Sequence, residues 1–179
     1  MSKVKFFGFC LLICIECFRS TEIDFYKEDI RIEIENNRAT VTGEYFFKNL
    51  TNNKKRVKFF YPFPVDSLHL FPDMILLDFP YERDTNGIYF TMKMEAKKEN
   101  FFKIIYCQKL QKNTFRYITT TTKMWKKPIK YAHFLIILPE TLKAEVNYPI
   151  VSKYHSFKKV FYIIDKKDFC PEEDLIIKW

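Results

Sequence analysis

Three histidines, a few neighbouring carboxylates and the two widely spaced cysteines beyond residue 20 are the residues here whose chemistry could drive a reaction. His69, His133 and His155 would each need partners delivered by the fold, because no residues nearby in sequence complete a catalytic or zinc-binding set. His133 lies in the apolar stretch 132–138, which fits a partnered wall residue. Glu28 adjoins Asp29, and Glu172 and Glu173 adjoin Asp174. Adjacent strand residues face opposite sides, so such neighbours do not form an acid/base pair, and solvated or turn-capping roles are expected. Asp165 and Asp168, set among lysines, offer too few oxygens for calcium. Gly8, Gly43 and Gly87 are the only glycines, too few and too scattered for a phosphate-cradling loop, and no serine sits in a Gly-x-Ser-x-Gly elbow. No catalytic, cofactor-binding or metal-ligating residue is assigned, and no cofactor is expected.

The most distinctive segment is 119–129, in which four threonines lead to Lys123, Trp125, Lys126, Lys127 and Pro128. Two readings of Trp125 are open. It is a platform for a sugar or another flat apolar face, with Lys123, Lys126 and Lys127 completing a contact patch, or it is a plug closing one end of the core. The segment reads as a strand end with a hydroxyl row on each face.

Charge narrows the partners. The formal net charge is +8, and Lys3, Lys5 and Arg19 against Glu16 confine part of it to the first twenty residues, leaving +6 on the rest. A charge of that size attracts anionic surfaces. It is carried almost entirely by lysines spread along the chain, a pattern of solvated faces and protected strand edges, and the clustered arginine of phosphate recognition is missing. Nucleic acid is therefore not an expected partner.

Residues 1–20 have the layout of a secretory signal: Lys3 and Lys5, an apolar run over 6–15, then a polar break at Glu16. Ten apolar residues are too few to span a bilayer, which takes about 20. Cys17 or Ser20 is the best available new terminus. Cys10, Cys14 and Cys17 raise lipidation as an alternative, although Ile13 and Glu16 stand where a small residue is expected. A membrane association follows only if the segment is retained or lipidated. The expected location is secreted or at the cell envelope. Removing the leader leaves Cys107 and Cys170, which either pair in an oxidising compartment or stay apart as small buried thiols. Asn49-Leu50-Thr51 is a glycosylation sequon, meaningful only in a eukaryotic secretory route.

The elements that would position these residues are strands. Twenty Phe and eleven Tyr against three Gly suit pleated, half-buried surfaces. Ile30, Ile32 and Ile34 alternate with Arg31, Glu33 and Glu35; after the polar turn 36–38, Ala39, Val41, Gly43, Tyr45 and Phe47 alternate with Thr40, Thr42 and Glu44. This predicts a β-hairpin over 29–49. A strand over 56–61 stops at Pro62-Phe63-Pro64. Further strands are expected at 73–79, 87–95, 101–107, 114–120, 130–138, 143–148, 157–164 and 174–178, with room for a short helix near 66–71 or 153–159. The pattern predicts one all-β domain over 21–179, an antiparallel two-sheet β-sandwich.

The runs ATVTGEYFFKN (39–49) and VKFFYPFP (57–64), joined by a polar turn, resemble the opening of exported immunoglobulin-like sandwiches of bacterial families whose function is unknown, and are similar to vault/inter-alpha-trypsin-type domains. YITTTTKMWKKPI (117–129) resembles a second block of the bacterial families. The resemblance implies an immunoglobulin-like fold in an envelope or secreted setting and carries over no catalytic residues. The function expected is a non-catalytic binding module whose partner is an envelope or extracellular protein or polysaccharide. The alternatives are an envelope-acting hydrolase whose carboxylates the fold assembles, and an assembly factor pairing through a sheet edge.

Overall fold

The computed structural model describes residues 22–125 and 127–179. The leader expected at 1–20 and Lys126 of the expected contact patch lie outside the described residues. No helix among the described residues is long and apolar enough to cross a membrane.

Alternation decides the first two strands. Ile30, Ile32 and Ile34 of β1 (Ile23–Glu35) are buried, as are Ala39, Val41, Gly43, Tyr45 and Phe47 of β2 (Arg38–Asn49). The two pair antiparallel with Glu35 opposite Arg38, so the loop is only Asn36-Asn37. Both asparagines have positive φ, 50° and 56°, the backbone of a two-residue hairpin turn that asparagine tolerates well. The expected hairpin is present and starts earlier, at Ile23. A β-bulge between Phe25 and Lys27 inserts Tyr26 into β1 and moves the inward positions from odd to even numbers. Phe25 and Glu28 consequently both face inward.

Eleven further strands follow: β3 (Lys55–Pro62), β4 (Met74–Leu77), β5 (Tyr81–Arg83), β6 (Gly87–Met94), β7 (Glu99–Lys109), β8 (Thr114–Tyr117), β9 (Ile129–Pro139), β10 (Glu145–Val146), β11 (Ser152–Ser156), β12 (Lys159–Phe169) and β13 (Leu175–Lys178). They form a seven-stranded sheet ordered β11-β12-β9-β1-β2-β7-β4 and two three-stranded sheets, β10-β13-β8 and β3-β6-β5. The fold is nearly all β, as expected. It is mixed and not purely antiparallel, because β1 runs parallel to β9, with Ile30 beside Phe134.

Both small sheets pack on the same face of the large one. Phe59 of β3 and Phe90 of β6 meet Phe102 of β7 at ring-centroid distances of 5.6 and 4.9 Å, and Tyr117 of β8 meets Phe134 of β9 at 6.3 Å. The core lies between these layers, and among the described residues no further sheet or helix covers the other face of the large sheet.

Several local expectations are corrected. The segment 153–159 is the β11–β12 hairpin and not a helix. At 66–71 the Asp66 carboxylate accepts from the N–H groups of Leu68 and His69 at 2.8 and 3.0 Å, a turn and not a helix. The threonine run does not extend a strand: β8 ends at Tyr117, and Thr120–Trp125 is a short 3-10 helix. Cys107 and Cys170 are unpaired thiols, the first buried and the second exposed. Cys107 sits on β7 and Cys170 follows β12, four strand spacings away across the sheet, roughly 19 Å where a disulfide needs its Cα atoms within about 7 Å. Asn49 of the sequon is fully buried, and its side-chain amide donates to the carbonyls of Asn53 and Met94, so the folded chain does not present it to a glycosylating enzyme.

Candidate functional site

Trp125 ends the 3-10 helix, half-buried, against Phe25, Phe47 and Phe59 at 5.7, 5.4 and 6.3 Å. Asp174 holds this helix from outside: its Oδ1 accepts from the N–H groups of Thr119 and Thr120 at 3.1 Å each and from the Thr120 hydroxyl at 2.8 Å. An anionic side chain at the first turn satisfies donors that otherwise have no partner. Lys123 donates to the Glu172 carbonyl at 3.3 Å, and Lys127 is exposed. Trp125 therefore covers one end of the core, while Lys123 and Lys127 are exposed.

The interior holds a polar cluster that the alternation concealed. The Tyr45 hydroxyl lies 2.7 Å from that of Tyr61 and 2.5 Å from that of Tyr117. Tyr45 belongs to the large sheet, Tyr61 to the β3 sheet and Tyr117 to the β8 sheet, so one hydroxyl links all three. Gly43 makes room for it, because a Cβ there would lie 2.5 Å from the Tyr45 hydroxyl oxygen and 2.7 Å from its ring. Glu28 is directly opposite Tyr45 across the β1–β2 ladder, and its Oε1 is buried without a hydrogen-bond partner. Burial, with Asp29 adding repulsion, pushes the Glu28 carboxyl up to about 8. Burial likewise drives the hydroxyls of Tyr45, Tyr61 and Tyr117 well above the ordinary tyrosine value. At neutral pH the cluster is a set of neutral, uncharged groups enclosed by rings.

The expected histidine and carboxylate roles resolve differently. His133 Nδ1 is 2.6 Å from Asp165 on the open face of the large sheet, a partnered wall residue as read. His69 is buried with Nδ1 2.8 Å from Asp66. Burial works against ionising Asp66, but His69 and the Leu68 N–H outweigh it and lower its pKa. Glu28, expected to be solvated, is buried because the Tyr26 bulge turns it inward. Asp29 points to the opposite face, so the two make no acid/base pair. Among the described residues no group of three or more His, Cys, Asp or Glu is placed to hold a metal ion.

The open face carries a feature that no stretch of sequence displays. Strand register sets Lys167, Tyr131, Lys27, Phe46 and Phe101 side by side in one row across β12, β9, β1, β2 and β7. Tyr131 and Phe101 are 54% and 62% exposed, far more than rings of a packed face. Phe46 stacks on Phe101 at 6.0 Å, Tyr26 at the bulge lies 6.4 Å from Phe46, and Lys27 Nζ sits 4.7 Å above the Phe46 ring. Each residue stands alone in its own strand, so only the pairing register reveals the row.

Fold and surface together define a nearly all-β protein with a layered core and one open, aromatic-bearing sheet face. No protein-family model matches the chain, and no curated protein matches it in sequence. Among solved structures it is similar to a candidate nutrient-binding protein from Legionella pneumophila, with a TM-score of 0.66 and 16% identity over 87% of this chain and 66% of that one. It is also similar to an M1 zinc metallopeptidase from Deinococcus radiodurans, with a TM-score of 0.54 and 6% identity over 88% of this chain and 42% of that one. Identities this low show the fold alone, and the chain spans less than two thirds of either neighbour.

Proposed function

We propose that this chain is a non-catalytic interaction module, an immunoglobulin-like sandwich that is exported and works at the cell envelope or outside it. The observation that carries the reading is the open face of the seven-stranded sheet, where Tyr131 and Phe101 stand exposed in one row. The layered β fold, shared with a candidate nutrient-binding protein, is compatible with such a module. Export is supported by the Lys3/Lys5 pair and the apolar run after it. The partner is an envelope or extracellular protein or polysaccharide. The lysines around Trp125 form a second contact region, with Trp125 itself acting through the core it covers.

The test is co-sedimentation of the full chain with intact envelopes of the cells that produce it, alongside Phe101→Ala, Tyr131→Ala and Lys123→Ala/Lys127→Ala variants. Binding that falls in the Phe101 and Tyr131 variants while their circular dichroism is unchanged supports the open face as the contact surface. Loss only in the lysine variant moves the contact to the Trp125 corner. Absence of binding by the unaltered chain contradicts the reading.

A further inference from the structure

We infer that the aromatic row on the open sheet face is a platform for a linear, uncharged polysaccharide. The inference rests on the interaction-module reading and names the ligand class of its contact surface.

Shape is the first argument. The row from Tyr131 through Lys27 and Phe46 to Phe101 crosses three strand spacings, roughly 14 Å long, and is only one residue wide. A stable protein partner would need about 800 Å² on each side with an apolar centre, far broader than a single row of side chains. A chain of sugar rings is long and one unit wide. The apolar faces of its rings suit aromatic side chains spread along a line, and its hydroxyls need polar groups alongside.

The neighbouring rows supply those groups. On one side the register lines up Asp165, His133, Asp29, Glu44 and Lys103. On the other it lines up Asp24, Lys48 and Glu99. Several charges pair on the face itself, Lys27 with Asp29 at 2.7 Å and Lys103 with Glu44 at 3.0 Å, while the His133 ring nitrogen meets Asp165 at 2.6 Å. Lys130 lies 3.8 Å from Asp24. Lysines and carboxylates therefore border the row as donors and acceptors without presenting a field of one sign. That charge balance suits an uncharged polymer. It does not suit an anionic lipid or acidic polysaccharide, which the overall positive charge of the chain would otherwise favour.

The test is retention of the full chain on three insoluble neutral polymers, cellulose, chitin and a β-1,3-glucan, in low and high salt. The expected result is retention on at least one polymer that changes little with salt. Phe101→Ala and Tyr131→Ala should each weaken it about five- to tenfold with the fold intact by circular dichroism. No retention on any polymer, or retention unaffected in the double variant, overturns the proposal. A concentration-dependent dimer lost in Phe101→Ala would also overturn it, by showing that a second copy covers the row. Envelope binding that is sensitive to Phe101 yet abolished by protease treatment of the envelope would sink the polysaccharide and leave the interaction-module reading standing.

Discussion

Glu28 concentrates the cost of this interior. Its carboxyl is pushed up to about 8 by burial and by Asp29, while an unfolded glutamate titrates near 4.3. Below pH 4 both states hold the proton. Between about 4.3 and 8 only the folded state does, so unfolding releases a proton and stability falls as pH rises, by up to about 1.4 kcal/mol per unit, levelling off above 8. Glu28→Gln should remove that component. Urea unfolding at pH 5 and pH 8 should show the variant gaining on the parent at the higher pH, and parallel changes in the two proteins would contradict the assignment. Tyr45 is the complementary case, since its hydroxyl meets Tyr61 and Tyr117 and so joins three sheets. Tyr45→Phe keeps the ring and leaves two buried hydroxyls without that partner, at an expected cost of about 1–3 kcal/mol in the same measurement.

At the scale of elements, two hairpins make opposite use of the same turn. Asn36-Asn37 joins β1 to β2 with residues suited to positive φ. Phe157-Lys158 joins β11 to β12 with φ of 49° and 60°, and Phe157 is 95% exposed, so it meets neither the steric preference of the turn nor the apolar preference of its ring. Phe157→Asn should raise stability by about 1 kcal/mol, about 2–4 °C in melting temperature for a chain this size, and a lower melting temperature would contradict it. The same contrast explains what the sequence discloses. The 29–49 hairpin is legible because both its alternation and its turn residues are conventional. The β11–β12 hairpin is not, because a Phe-Lys turn carries no signal, and the segment looks as compatible with a helix. The burial of Glu28 is hidden for a related reason: the bulge at Tyr26 changes which residues face inward, and the alternation from Ile30 onward gives no hint of it. The threonine run became a 3-10 helix because Asp174, distant in sequence, holds its first turn.

At the scale of the whole molecule, the division of the large sheet into a covered and an open face organises everything else. The covered face takes the rings of β3, β6 and β8 and the tyrosine junction, while the open face collects Tyr131, Lys27, Phe46 and Phe101 from four strands. That the chain is nearly all strand was readable from composition and spacing, while the parallel β1–β9 pair and the third sheet were not. The row was not, because it depends on the β1–β9 parallel pairing and on the β2–β7 register, neither of which leaves a mark within any one segment. Lysines scattered along the chain suggested a solvated surface, and on the open face several of them are paired with carboxylates, which agrees.

Hydroxyl-radical footprinting of the full chain, free and bound to intact envelopes, tests the open face as the contact surface most directly. The account predicts that Tyr131, Phe46 and Phe101 lose reactivity on binding while the exposed Tyr154 on β11 and Phe157 in the β11–β12 turn keep theirs. Protection confined to Tyr154 and Phe157, with Tyr131 and Phe101 unchanged, would contradict it and assign the contact to a sheet edge.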